Sequence, residues 1–142
     1  MKVVLDASMA LAWHLNRVDP SEATLAALAL DAVRADGATV PALWFPEVAN
    51  ALLMAERRRI RTVQETVRFE SDLASLKIAV DTISPQILQS RALSLGRSSV
   101  LTAYDATYLE LALRTGFSLA TFDRQLAEAF RKLGGQVFGD QP

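Results

Sequence analysis

The chain contains no cysteine and only one histidine, His14. Without thiols it has no disulfide, no thiolate zinc site and no cysteine nucleophile. His14 lies in an apolar stretch with no partner near it in sequence, so it reads as a packing residue rather than a general base. No apolar run approaches the roughly 18 residues that a membrane span needs. The opening run Met1-Lys2-Val3-Val4-Leu5-Asp6 turns strand-like at once. It leaves no room for a secretory leader, so a cytoplasmic protein is expected. Internal repeats, linkers and low-complexity tracts are also missing. Nor is there an excess of basic charge: 15 basic and 16 acidic residues give a net −1, which does not by itself advertise nucleic acid.

What is present is apolar and alternating. Hydrophobic residues make up 51% of 142, which predicts one domain over residues 1–142 that buries about two-thirds of its unfolded surface. Val3–Leu5 reads as a strand and Met9–Leu15 as a helix. Asn16 to Ser21 forms a turn before a helix over Glu22–Ala35, whose stripe is Leu25, Leu28, Ala29, Ala32 and Val33. Asp36-Gly37 ends that helix, and Thr39-Val40 is a short strand. Pro46 suits the first turn of a helix through Arg59. Thr62 caps another through Leu76, with Val63, Val67, Leu73 and Leu76 inward. Ile78–Val80 is a strand, and Pro85 opens a helix ending near Gly96. Ser98-Ser99 is loop, Thr102–Thr115 helix, Ser118–Ala120 strand, Arg124–Leu133 helix and Val137-Phe138 a last strand. Strands alternating with helices predict an α/β domain with a mostly parallel sheet. Sites in such sheets form beyond the carboxyl ends of the strands.

Four acids stand at these junctions. Asp6 follows Val3-Val4-Leu5, Glu47 follows Ala42-Leu43-Trp44-Phe45-Pro46, Asp105 follows Val100-Leu101-Thr102-Ala103-Tyr104, and Asp123 follows Leu119-Ala120-Thr121-Phe122. Each is expected where a strand hands over to a helix, which places all four at one sheet edge. Two carboxylates about 4 Å apart repel by roughly 4 kcal/mol at an effective dielectric near 20. A divalent cation removes that cost, and hard oxygen donors select Mg²⁺ or Mn²⁺. Each acid alone also has an ordinary structural explanation. Asp123 suits a helix cap, Thr102 to Asp105 matches a capping box in form, Glu47 suits a helix dipole, and Asp6 can end a strand. The recurrence is what argues for chemistry.

These residues resemble a family. Val3-Val4-Leu5-Asp6-Ala7-Ser8, Pro46-Glu47-Val48-Ala49-Asn50-Ala51-Leu52, Tyr104-Asp105-Ala106-Thr107-Tyr108-Leu109 and Leu119-Ala120-Thr121-Phe122-Asp123 look like the four motifs of PIN-domain ribonucleases. The closest branch is the VapC-type toxin of toxin–antitoxin pairs. The resemblance implies a three-layer α/β/α fold with strand order 3-2-1-4-5. It also implies a Mg²⁺-dependent endoribonuclease, with Mn²⁺ as a substitute, that cleaves RNA by metal-activated water. A cognate antitoxin and a homodimer come with it. Asp6 and Asp105 would be the main metal ligands, with Glu47 and Asp123 completing the cluster. Ser8 and Thr121 carry short hydroxyls beside the acids that can hold metal waters or serve as turn or capping hydroxyls, and Asn50 shares the helical face of Glu47 either as a site residue or as a packing amide. The alternative within the same fold is an inactive binding module, whose usual mark is a missing acid.

Other patterns fit less well. A haloacid-dehalogenase-like phosphatase would need an aspartate where Ser8 stands. A receiver domain would need Asp81 as phosphoacceptor and a later strand-end lysine that the chain lacks. Setting aside the four acids leaves an excess of three basic charges, and twelve of the fifteen basic residues are arginine. Arg57, Arg58, Arg59 and Arg61 cluster after the second motif. They suit a phosphate backbone, a partner or a solvated helix end. Trp13, Trp44, Phe45, Tyr104 and Tyr108 read mainly as core or interface.

Overall fold

The computed structural model describes residues 2–141, so Met1 of the opening run and Pro142 lie outside the described residues. Four three-residue strands form the sheet: β1 Val3–Leu5, β2 Ala38–Val40, β3 Ile78–Val80 and β4 Ser118–Ala120. All pairings are parallel, in the order β3-β2-β1-β4. The expected fifth strand at Val137-Phe138 is reduced to one parallel bridge, Leu119 to Val137, on the outer side of β4. Its order is thus 3-2-1-4-5, with the last position only a bridge. Helices connect the strands: α1 Ala7–Leu15, α2 Pro20–Asp36, α3 Trp44–Arg57, α4 Val63–Ala74, α5 Pro85–Ser99, α6 Ala103–Thr115 and α7 Arg124–Lys132.

β1 and β4 bury every residue, as strands do when both faces of a parallel sheet are covered. α1 packs on α2 and α3, while α6 packs on α5 and α7. One core runs through Val3, Val4, Leu5, Met9, Val33, Val40, Leu109, Leu119 and Leu126. Parallel strands present all their carboxyl ends at one edge, where Asp6, Pro41, Asp81 and Thr121 leave the sheet.

Local chemistry sets the boundaries, and it moves several of them. Asp19 accepts from the Ser21 amide, so α2 begins at Pro20, inside the expected turn. Its inward face is Ala26, Ala29 and Val33, while Leu28 is exposed. The run Ala42 to Phe45 is not extended, because α3 already begins at Trp44. Thr62 and Glu65 form a reciprocal capping box for α4, as the Thr62 cap predicts. That helix buries Thr66 and Phe69 and leaves Val63 and Val67 exposed. The stripe Thr66, Phe69, Leu73 repeats at helical spacing, and Phe69 sets its phase by stacking on His14 with ring centroids 4.5 Å apart. Gly96 does not end α5, which continues to Ser99 until Val100 adopts a left-handed conformation. Gly37 is needed at its position: its φ is +83°, and an added Cβ would stand 2.8 Å from the Lys77 carbonyl oxygen.

Two polar ties close the fold. Arg61 donates from Nε and Nη2 to the His14 carbonyl oxygen at 3.2 and 2.9 Å. One member of the arginine cluster therefore fastens the α3–α4 turn to the end of α1. Arg114 clasps Glu110 on its own helix at 2.9–3.0 Å and Asp81 beyond β3 at 2.6 and 3.1 Å. Asp81 is thus an ion-pair partner. Glu110 is only 4% exposed, and without Arg114 this buried carboxylate keeps only the longer 3.5 Å contact with Arg91, which is costly. Arg114→Leu should destabilise the fold by about 3 kcal/mol in urea denaturation. The double change Arg114→Leu with Glu110→Leu should recover most of that loss. Arg131→Ala, which breaks an exposed pair with Asp140, should cost no more than about 1 kcal/mol.

Candidate active site

Each of the four acids opens a helix. Asp6 is the N-cap of α1 and Asp123 the N-cap of α7, each directly after or just beyond its strand. Glu47 lies in the first turn of α3 and Asp105 in the first turn of α6. The expected strand-to-helix handover fails at Asp105, because α6 follows α5 through a short loop and not a strand. The apolar run Val100-Leu101 that suggested a strand serves instead as the α5 cap and a loop packed on the core. A helix N-terminus carries unpaired amides and roughly half a positive charge. Four such ends therefore offset part of the repulsion among four carboxylates.

The carboxylates feel one another. Burial, above all, pushes the Asp6 carboxyl up from its ordinary value, and the Asp123 charge adds to the rise. Asp105 is also raised by burial, then by Asp123 and Asp6. Glu47 is raised by burial and by Asp6 and Asp105, although a Tyr108 hydrogen bond works against the rise. Among the described residues no lysine, arginine or histidine forms a salt bridge with any of the four. All four side chains offer hard oxygen donors.

Hydrogen bonds aim these oxygens. Ser8 Oγ and Thr121 Oγ1 both donate to Asp6 Oδ2, at 2.6 and 2.7 Å. The same hydroxyls accept from the backbone amides of Phe122 and Asp123 at 3.0 and 2.9 Å. Their protons are committed to Asp6, so they orient a carboxylate and tie the β1 and β4 exits together. Asp123 Oδ1 accepts from the Leu126 amide at 2.9 Å. Asn50 is exposed one turn beyond Glu47 and, among the described residues, bonds to none of the acids. Sequence reading missed Tyr108, whose buried hydroxyl donates to Glu47 Oε1. The available signal was its position three residues after Asp105, on the same helix face. Beside Asp123 opens a groove of about 720 Å³, lined by Thr121, Phe122, Arg124 and Leu25. The Arg17 guanidinium lies over the Phe122 ring, 4.1 Å from its centroid.

Among the described residues no three acidic or histidine side chains are gathered tightly enough to cage an ion unaided. Such a donor set suits Mg²⁺ or Mn²⁺, hard ions that bind through one or two carboxylates and keep several waters. Burial raises the Asp6 pKa in the folded state, so the native chain holds that proton more tightly than the unfolded chain. Stability is therefore lost as pH rises past the ordinary value of 3.8. Asp6→Asn keeps an oxygen for both hydroxyls and removes the charge. In EDTA it should be more stable than the parent at neutral pH, with the gain fading below about pH 4. Urea denaturation at the two pH values measures this.

The chain's likenesses follow this geometry. The PIN domain family pattern matches residues 3–132. Ribonuclease VapC3 of Pyrobaculum aerophilum is 36% identical over 87 residues, 61% of this chain. The matched stretch covers 66% of that protein, just under two thirds of its length. The crystal structure of PAE2754 from Pyrobaculum aerophilum superposes with a TM-score of 0.65 at 22% identity, over 91% of this chain and 84% of that one. A toxin–antitoxin complex from Klebsiella pneumoniae gives 0.66 at 18% identity over 99% of both chains. FitAcB from Neisseria gonorrhoeae gives 0.63 at 16% identity, over 98% of this chain and 97% of that one. At such identities the structures bear on the fold alone, and they agree with the parallel sheet described above. With the family pattern spanning nearly its whole length, this chain belongs to the PIN domain family.

Proposed function

We propose that this chain is a Mg²⁺-dependent endoribonuclease, with Mn²⁺ able to substitute, acting as the toxin of a toxin–antitoxin pair. The observation that carries the reading is the set of four carboxylates at four helix N-termini, none paired to a basic side chain among the described residues. Asp6 and Asp105 would hold the metal, with Glu47 and Asp123 completing the shell directly or through water. When bound, the metal supplies charge neutralisation for the phosphate and makes a water more acidic. The chain's residues do the rest. Ser8 and Thr121 fix the Asp6 carboxylate, so its donor oxygen meets the ion with no reorganisation. Asp123, held by the Leu126 amide, is the acid best placed at the groove to orient a nucleophilic water.

RNA as substrate is supported by the alignment to a relative named as a ribonuclease. An antitoxin is supported by the full-length likeness to one partner of a toxin–antitoxin complex. An inactive binding module would lack an acid, and all four stand here. Arg57, Arg58 and Arg59 are exposed, about 15 Å along α3 from Glu47 at 1.5 Å per residue. We assign them to the surface that meets the antitoxin or the second subunit of a homodimer. They stand too far along the helix to touch the scissile phosphate.

Purified protein should cleave RNA with Mg²⁺ and fail to do so in EDTA. Asp6→Asn, Asp105→Asn and Asp123→Asn should each abolish cleavage while circular dichroism stays native. Full activity in any one of them would break the shared-site reading. Metal binding to the native state alone should also raise the melting temperature. With Mn²⁺ at about a hundred times its dissociation constant, the gain should be roughly 2.7 kcal/mol, and it should vanish in Asp6→Asn.

A further inference from the structure

We propose that Tyr108 is a positioning residue that holds Glu47 in its working orientation, an inference that rests on the metal-dependent reading above. Its hydroxyl joins three elements of the site. Tyr108 is on α6, one turn beyond Asp105, and its ring is 1% exposed in the core. The hydroxyl donates to Glu47 Oε1 on α3 and faces the Ala7 backbone amide, next to Asp6, at the start of α1. A buried phenol requires a partner for its polar end. Here that partner is a half-buried acid that has, among the described residues, no basic partner.

The need for such a clamp differs among the four acids. Asp6 is held by two hydroxyls and Asp123 by the Leu126 amide. Thr102 Oγ1 accepts from the Asp105 backbone amide at 3.1 Å, which fixes the start of the helix that carries it. Glu47 has one more rotatable bond than an aspartate, so it has the most freedom to lose when it binds an ion. The Tyr108 bond removes that freedom in advance, because a packed ring in the core cannot swing away. It occupies Oε1 and leaves Oε2 for a ligand. Hydrogen bonds that orient a metal-binding carboxylate are typically worth 10- to 100-fold in affinity or activity. The core position of Tyr108 invites a packing explanation, which predicts an effect on folding and none specific to Glu47.

Tyr108→Phe keeps the ring and removes the hydroxyl. It should weaken Mn²⁺ binding, measured by water-proton relaxation on the intact chain, by about tenfold. RNA cleavage should show a similar loss in kcat with KM unchanged. In a Glu47→Gln background the same substitution should change Mn²⁺ binding less than twofold. Equal losses in both backgrounds, or parental Mn²⁺ affinity in Tyr108→Phe, would overturn the proposal. A parent that binds Mn²⁺ but cleaves no RNA would remove the ribonuclease reading, and the binding cycle would still decide the role of Tyr108. A parent that binds no Mn²⁺ would overturn both. If Tyr108→Phe does not fold, 3-fluorotyrosine labelling of the native core serves instead. The chain has two tyrosines, and only the buried one should shift its ¹⁹F signal on Glu47→Gln and on adding Mg²⁺. A buried signal that ignores both would overturn the assignment.

Discussion

Like-charge repulsion among four carboxylates is the constraint around which this molecule is arranged. A fold that brings such groups together needs something to hold them there in the absence of a cation. The answer is architectural: four helices point their amino ends at the cluster, and the amides and dipoles at those ends favour negative charge. The compensation is partial, since three of the acids still keep their protons more tightly than usual. The residual repulsion is the term that a positive charge placed among them would remove.

The hydroxyls then determine how rigid that arrangement is. Ser8 and Thr121 each use a proton on Asp6 and a lone pair on the β4–α7 backbone. Both hydroxyls thus donate once and accept once, and hydrogen bonds satisfied in this way stiffen a buried polar network. The Asp6 amide adds a bond to the Ala120 carbonyl oxygen at 3.0 Å. The first strand exit and the last are thus one unit. On the opposite flank the Arg114 clasp plays a comparable role, binding α6 to the segment beyond β3.

The acids were legible because short apolar runs and the carboxyl-edge rule for parallel sheets require only local pattern and chain order. Asp6 and Asp123 follow that logic closely. Asp105 reaches the edge by another route: Leu101 packs on the core while exposed Val100 caps α5, and periodicity cannot separate so short an apolar pair from a strand. The inward face of α4 was misread for a related reason. Valine suits either environment, and the face is chosen by where Phe69 meets His14, 55 residues earlier. The Tyr108–Glu47 bond and the Arg61 tie to His14 depend on the register between distant helices. No local pattern encodes that register. The last strand is shortened to one bridge because the chain turns away at once: Gly139 takes a positive φ, and the Asp140 amide donates to the Val137 carbonyl oxygen at 3.0 Å.

The bond between Thr121 and Asp6 spans 115 positions. The acids are spread along the chain in the order 6, 47, 105, 123, and the first is aimed by a hydroxyl that arrives near the last. Asp6 therefore reaches its final orientation only when β4 takes its place beside β1. A chain without β4 in place lacks the hydroxyl that aims Asp6. Topology acts as a clock, keeping the cluster apart until the fold that controls it is nearly whole.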